Sequence, residues 1–222
     1  MIFLIIVFGV IIFFSVVIGF NMSFLILSFL LLLFIIHRGI ALYKKKQKLD
    51  KHKNELSIVN VDKGGVFKLT GVGEYSEELT LKVLAKHLYK EGDYSWYELE
   101  CDKGEGDKVF VDVEVDDYVK VSVVLGKLTM HDINLSAPLE KIDDDENGLV
   151  YYKQKKFLYK ESDSAVFYRF CDEKKSEKFY YWDFENSINL ISIEKWGNKD
   201  YNVYYCQEMR TSQITVLSNK GN

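Results

Sequence analysis

Cysteine is scarce in this chain: Cys101, Cys171 and Cys206 among 222 residues. Three dispersed thiols build no disulfide framework, and without a C-x-x-C pair there is no zinc ribbon. They read as reduced, buried side chains. Histidine is nearly as rare. His37 and His52 lie at the apolar N-terminus and in a basic run, which leaves His87 and His131 for a domain interior. A lone buried imidazole is ordinarily a hydrogen-bonded core residue. Signatures of catalysis are missing too. "GVGEYS" at Gly71 lacks the lysine and helix start of a phosphate loop, and no G-x-S-x-G elbow occurs. The run "DDDEN", Asp143 to Asn147, lacks the spacing of a calcium loop. The expectation is a protein that is not an enzyme, with no catalytic residue, no cofactor and no metal.

Charge is absent from Ile2 to Ile36, a stretch too apolar for any ordinary soluble face. It is too long for one span and suits a hairpin of two, Ile2 to Ile18 and Ser23 to Tyr43, turning at "GFNMS". A signal peptide fits less well, because no Lys or Arg precedes the apolar run and no small-residue cleavage site follows it. The adjoining "YKKKQKLDKHK" keeps its side of the membrane cytoplasmic. The expected address is therefore the cytoplasmic membrane, with the lipid bilayer as one partner and the remaining domain in the cytoplasm.

Charge is also divided unevenly. Residues up to Lys53 carry a net +6 and the rest −10, within a total of −4. So acidic a domain is repelled by phosphate backbones, which argues against nucleic acid. A soluble partner with a basic surface, or a polyamine, matches the charge.

The remaining chain reads as β. "VFVDVEVDDYVKVSVV" places Val109, Val111, Val113 and Val115 on one side of a strand and Asp112, Glu114 and Asp116 on the other. "LYKEGDYSWYELECD", Leu88 to Asp102, returns as "LYKESDSAVFYRFCD", Leu158 to Asp172. This offset of 70 residues gives nine identities over the 37 positions from Leu88, against about two or three expected from ordinary composition. Leu81, Leu84 and Leu88 have helical spacing, but the aromatic counterpart "VYYKQKKFLYKES" favours strand for both segments.

The predicted fold is mainly β: a transmembrane helical hairpin (1–43), a basic juxtamembrane linker (44–64), and a duplicated antiparallel β-meander domain. Its copies span 65–136 and 149–218, joined by an acidic linker (137–148) that holds the sole proline, Pro138. The copies are expected to form two packed sheets or barrel-like halves whose apolar faces meet, with the aromatic-rich second copy packing against the first.

Asp112, Glu114 and Asp116 are the candidate ligand- or partner-binding residues. They recur about 6.8 Å apart along one face, a pitch that a polyamine or hydrated cations could bridge, with nearby aromatics adding cation–π attraction. A solvated outer face of a half-buried sheet explains the same alternation without a ligand.

"WYELEC", Trp96 to Cys101, and "LISIEKWGNKDYNVYYC", Leu190 to Cys206, resemble a bacterial domain family of uncharacterised function with W-x-E-[YF]-x-L and L-S-I-E-x-x-G segments. Leu99 stands where that family has an aromatic and Cys101 where it has Leu; Ile191-Ser192-Ile193-Glu194 with Gly197 fits more closely. That family has no established catalytic residues to carry over, and the resemblance implies an association with membrane-stress or polyamine-related processes.

Overall fold

The computed structural model describes residues 31–34, 36, 38, 55–104, 106–197 and 200–220. The chain divides into two compact units, Met1–Glu55 and Leu56–Asn222. In the first, residues 31–34, 36 and 38 are helical, and Leu31, Leu33, Phe34 and Ile36 are exposed. Among the described residues no helix is long and apolar enough to cross a membrane. The first predicted span, its turn and the basic run lie outside the described residues, as does much of the second span.

The second unit is built from β1 (Val66–Val72), β2 (Glu77–Glu91), β3 (Tyr94–Asp102), β4 (Lys108–Val115), β5 (Val119–Leu128) and β6 (Asn134–Leu135), then a helix α1 (Leu139–Asp145). β7 (Leu149–Tyr152), β8 (Lys155–Tyr168), β9 (Ser176–Asn186), β10 (Asn189–Trp196), β11 (Asp200–Met209) and β12 (Ile214–Ser218) follow. All twelve strands form one sheet in the order β12-β1-β2-β3-β4-β5-β11-β10-β9-β8-β7-β6, and every pairing is antiparallel. β2 also pairs with β8, through Leu88, Tyr89 and Lys90 opposite Tyr168, Phe167 and Val166. That seam closes eight strands, β2-β3-β4-β5-β11-β10-β9-β8, into a barrel.

Closure needs two strands that change face midway. In β2 the register slips between Val83 and Ala85. The extra residue reverses the alternation, so Leu81 and Val83 face an outer core while His87, Tyr89 and Glu91 point into the barrel. β8 repeats the device with a slip between Tyr159 and Glu161. Phe157 and Tyr159 face outward, and Glu161 and Phe167 face inward. The segment 77–91 is thus a strand, and the bulge near Leu84 accompanies its helix-like leucine spacing.

The barrel wall has its apolar face on the outside. Val109, Val111, Val113, Val121 and Val123 pack beneath β1, β12 and the turn at Ile58–Asn60, around fully buried Phe67 and Leu69. On the opposite side Trp182, Phe184, Ile191, Ile193 and Val203 pack beneath α1, β6 and β7, around Ile142, Val150 and Phe157. At about 25 cal/mol per Å² of apolar surface removed from water, these two covers supply most of the favourable burial.

The expectation of two sheets with apolar faces meeting is corrected here: those faces point away from each other, and one closed sheet replaces the two. The segment 137–148 is no mere linker, because Leu139 and Ile142 of α1 are buried in the second outer core. Nor does the offset of 70 residues mark equivalent positions. Cys101 is buried on β3, whereas Cys171 is exposed in a 3₁₀ turn at Arg169–Cys171. Gly92 turns with φ of 53° between β2 and β3, yet its counterpart Ser162 lies within β8.

Candidate functional site: an acidic barrel lumen

Alternation along the wall strands sends every second side chain inward. An eight-stranded barrel leaves room inside for side chains or one small ligand. Here the interior is a cavity of about 770 Å³. Twelve carboxylates line it against four Lys and Arg side chains, so it is strongly anionic.

Four of those carboxylates, Glu91, Glu100, Glu114 and Glu161, have a lysine or a tyrosine hydroxyl beside them. Lys108 pairs with Glu100 at 2.6 Å, and His87 Nε2 lies 3.5 Å from the same carboxylate. Lys120 sits 3.6 Å from Glu114, which also accepts from the Tyr94 hydroxyl. Lys160 meets Glu161 at 3.3 Å, and the Tyr181 hydroxyl donates to Glu91 at 2.7 Å. Glu100 is accordingly held below the usual carboxylate range, by Lys108 first and His87 after it.

Four others form a belt whose members have a neutral hydrogen-bond donor but no counter-ion. Among the described residues, Glu98, Asp112, Asp183 and Glu194 have no Lys, Arg or His within ion-pair distance. Glu98 and Asp112 stand directly opposite each other on β3 and β4, which brings their Cβ atoms within about 4.5–5.5 Å. Burial pushes Asp112 up to about 7, with Asp183 and Glu114 adding to it; the Ser122 hydroxyl, donating at 3.4 Å, opposes the shift. Burial likewise raises Glu194 to about 7, against the Trp196 indole N–H donating at 2.7 Å. Asp183 rises to about 6, again by burial, despite Ser192 and Lys160. Glu98 is displaced well upward by burial, then by Asp112 and Glu194. Each touches the cavity yet is walled in by protein, so desolvation and like-charge repulsion act together. Asp183 Oδ1 is buried without any hydrogen-bond partner.

Aromatic rings border this belt. Tyr89 stacks on Trp96 at 5.2 Å, Phe179 stacks on Trp196 at 4.6 Å, and Phe167 meets Trp196 edge-on at 5.7 Å. Residues from both meanders contribute, and on β9 the aromatics serve both faces: Phe179 and Tyr181 inside, Trp182 and Phe184 outside.

Of the predicted site residues, Asp112 and Glu114 face the lumen rather than bulk solvent. Asp116 does not join them. β4 ends at Val115, and Asp116 lies exposed in the turn that leads to β5. His87 is a satisfied buried histidine: its Nδ1 accepts from the Phe170 N–H at 3.0 Å, and burial lowers its basicity. His131 is exposed in the turn after β5. Asp143 accepts from the Tyr180 hydroxyl at 2.8 and 2.9 Å and from Ser162, which fastens α1 to the barrel. Sequence reasoning did not single out Glu98, Asp183 or Glu194 as site residues. One signal was available: Trp96, Glu98, Ser192 and Glu194 belong to the two quoted segments, and all four line the cavity.

The fold and its interior define a closed antiparallel barrel with an acidic, aromatic-edged lumen. A family model described as a domain of unknown function (DUF4178) matches residues 72–211, and the chain belongs to that family. The match runs from the end of β1 through β11 and so takes in all eight barrel strands. No curated protein and no solved structure matches the chain.

Proposed function

We propose that this protein is a non-catalytic binding module whose barrel takes a small, elongated cation, such as a polyamine, into its lumen. The observation that carries the reading is the belt of Glu98, Asp112, Asp183 and Glu194. It has no internal counter-ion, whereas Glu100, Glu114 and Glu161 beside it each have a lysine. A ligand with several ammonium groups supplies that charge, and its carbon chain suits the stacked rings of Tyr89, Trp96, Phe179 and Trp196. Among the described residues no three His, Cys, Asp or Glu side chains converge as metal ligands, which favours an organic cation over a bare metal ion. Much of the acidity that suggested a basic protein partner is turned inward, so a small ligand accounts for it better than a docked protein.

The apolar N-terminal segment anchors the module at the cytoplasmic face of a membrane in this reading. The uncharged run to Ile36, the basic run beyond it and the exposed Leu31, Leu33, Phe34 and Ile36 support the anchor.

Titrating the full chain in detergent micelles with spermidine at pH 8 tests the binding. Saturable heat is expected, with affinity at least about tenfold weaker in Glu194→Gln, since a lost charge-assisted contact is worth roughly 1.5–3 kcal/mol. Heats that never saturate, or a variant that binds as tightly as the parent, would rule the reading out.

A further inference from the structure

We infer that the lumen is a proton-for-cation exchanger: the unfilled belt of Glu98, Asp112, Asp183 and Glu194 holds shared protons, and an entering cation expels them to solvent. The inference rests on the cation-binding reading and adds its regulation.

Geometry carries it. Glu98 and Asp112 are cross-strand neighbours on one wall with no base between them, so two full negative charges there would repel at close range. Sharing a proton turns that repulsion into a hydrogen bond. On the opposite wall Glu194 already takes the Trp196 N–H, while Asp183 Oδ1 is enclosed and lacks any donor. A buried acceptor without a donor is costly, and a proton on the same carboxyl or a donor brought by a ligand relieves that cost. Protons and ammonium groups are the two candidates, and they compete for the same oxygens.

The surrounding ionisable groups do not substitute for either. From β2 and β11, Tyr89, Tyr204 and Cys206 face the belt, and burial keeps all three neutral by raising them above their ordinary values. From β3, β4 and β8, Glu100, Glu114 and Glu161 add negative charge, and each is bound to its own lysine. Lys160 on β8 and Lys127 on β5 exert a favourable field on Asp183 and Glu194 without reaching ion-pair distance. Charge balance is then simple: each ammonium that enters replaces one carboxylic proton, that proton passes to buffer, and the net charge of the belt is unchanged. Because Asp112, Asp183 and Glu194 titrate at about 6 to 7, the exchange falls near neutral pH. Affinity should drop about tenfold per pH unit for each proton displaced as pH falls below that range.

Calorimetric titration of the full chain with spermidine at pH 6.5, repeated in phosphate and in Bis-Tris, reads the protons exchanged from the difference in heat. Release of about one or more protons per ligand is expected. Saturable binding with no proton release would overturn the exchange and leave the binding reading intact. No saturable heat at any pH would remove both. An infrared difference spectrum gives a readout independent of any variant: the carbonyl band of protonated carboxylic acid should be present in the unliganded chain at pH 6.5 and shrink on adding spermidine. A ligand-free spectrum lacking that band at pH 6.5 would refute the inference outright.

Discussion

Replacing Asp112 by Asn should make this fold more stable at alkaline pH and leave it unchanged in acid. Asp112 titrates at about 7 in the barrel against an ordinary 3.8. Between those values the folded chain keeps a proton that the unfolded chain has shed, so stability falls as pH rises through about 4 to 7, and the deficit is complete above it. At 1.36 kcal/mol per pKa unit the ceiling is about 4 kcal/mol. Cavity water screens part of this, and Glu98 ionises more readily once its neighbour is neutral, so about 2 kcal/mol is a fairer expectation. The amide keeps the shape of the protonated acid and can still accept from Ser122. For a folded unit the size of Leu56–Asn222, each kcal/mol moves Tm by about 2–4 °C, giving a rise of about 4–8 °C. Thermal melts followed by tryptophan fluorescence report on both sides of the wall, since Trp96 and Trp196 line the lumen and Trp182 lies in the outer core. Melting temperatures of parent and Asp112→Asn should differ least at pH 4.5 and separate progressively up to pH 8. Parallel curves across that range, or a variant less stable at pH 8, would show that Asp112 carries no unfavourable charge and that the belt is mis-drawn.

Two further outcomes separate the lumen from its surroundings. Asp116→Asn changes an exposed turn residue outside the barrel, so spermidine affinity should stay within about twofold of the parent, as expected of a screened surface charge; a large loss would move the site to the rim. Tyr180→Phe deletes a hydroxyl that donates to both oxygens of Asp143. It should cost about 1.5–3 kcal/mol and increase amide exchange in α1 first, whereas uniform exchange throughout the barrel would mean that the helix is not held by this contact.

The strands were legible because alternation is a local property. Val109 through Val115 announce β4 without any knowledge of its neighbours. What alternation does not state is which face is enclosed. An apolar face turned inward beneath a solvated acidic one is the usual arrangement of an antiparallel sheet, and here both faces are covered, the valines by β1 and β12 and the acids by the barrel itself. That inversion depends on the pairing of Tyr89 with Phe167 across 78 residues of chain, a contact with no local trace. The repeat misled for a related reason. Aligning Leu88–Asp93 with Leu158–Asp163 lays the end of β2 and its turn over the middle of β8. The structural parallel between the two strands is instead the bulge that each carries, near Leu84 in one and Lys160 in the other. Bulges add a residue without altering composition, so a fixed offset passes over them.

The belt of acids makes physical sense only together with the two outer cores. Four half-buried, desolvated carboxyls without counter-ions weaken any fold that must keep them. A barrel stabilised by packing within its own lumen could not keep them, because filling that space is what would hold it together. This barrel is held mainly from outside, with one smaller aromatic cluster around Tyr89, Phe167 and Phe179 inside it. Phe67, Leu69 and the valines of β4 and β5 lie under one cover, and Phe157, Phe184 and Ile193 under the other. Neither cluster includes a member of the belt. Cohesion and site are therefore carried by opposite faces of the same strands, and the interior is left free to be unfavourable until something positively charged enters it.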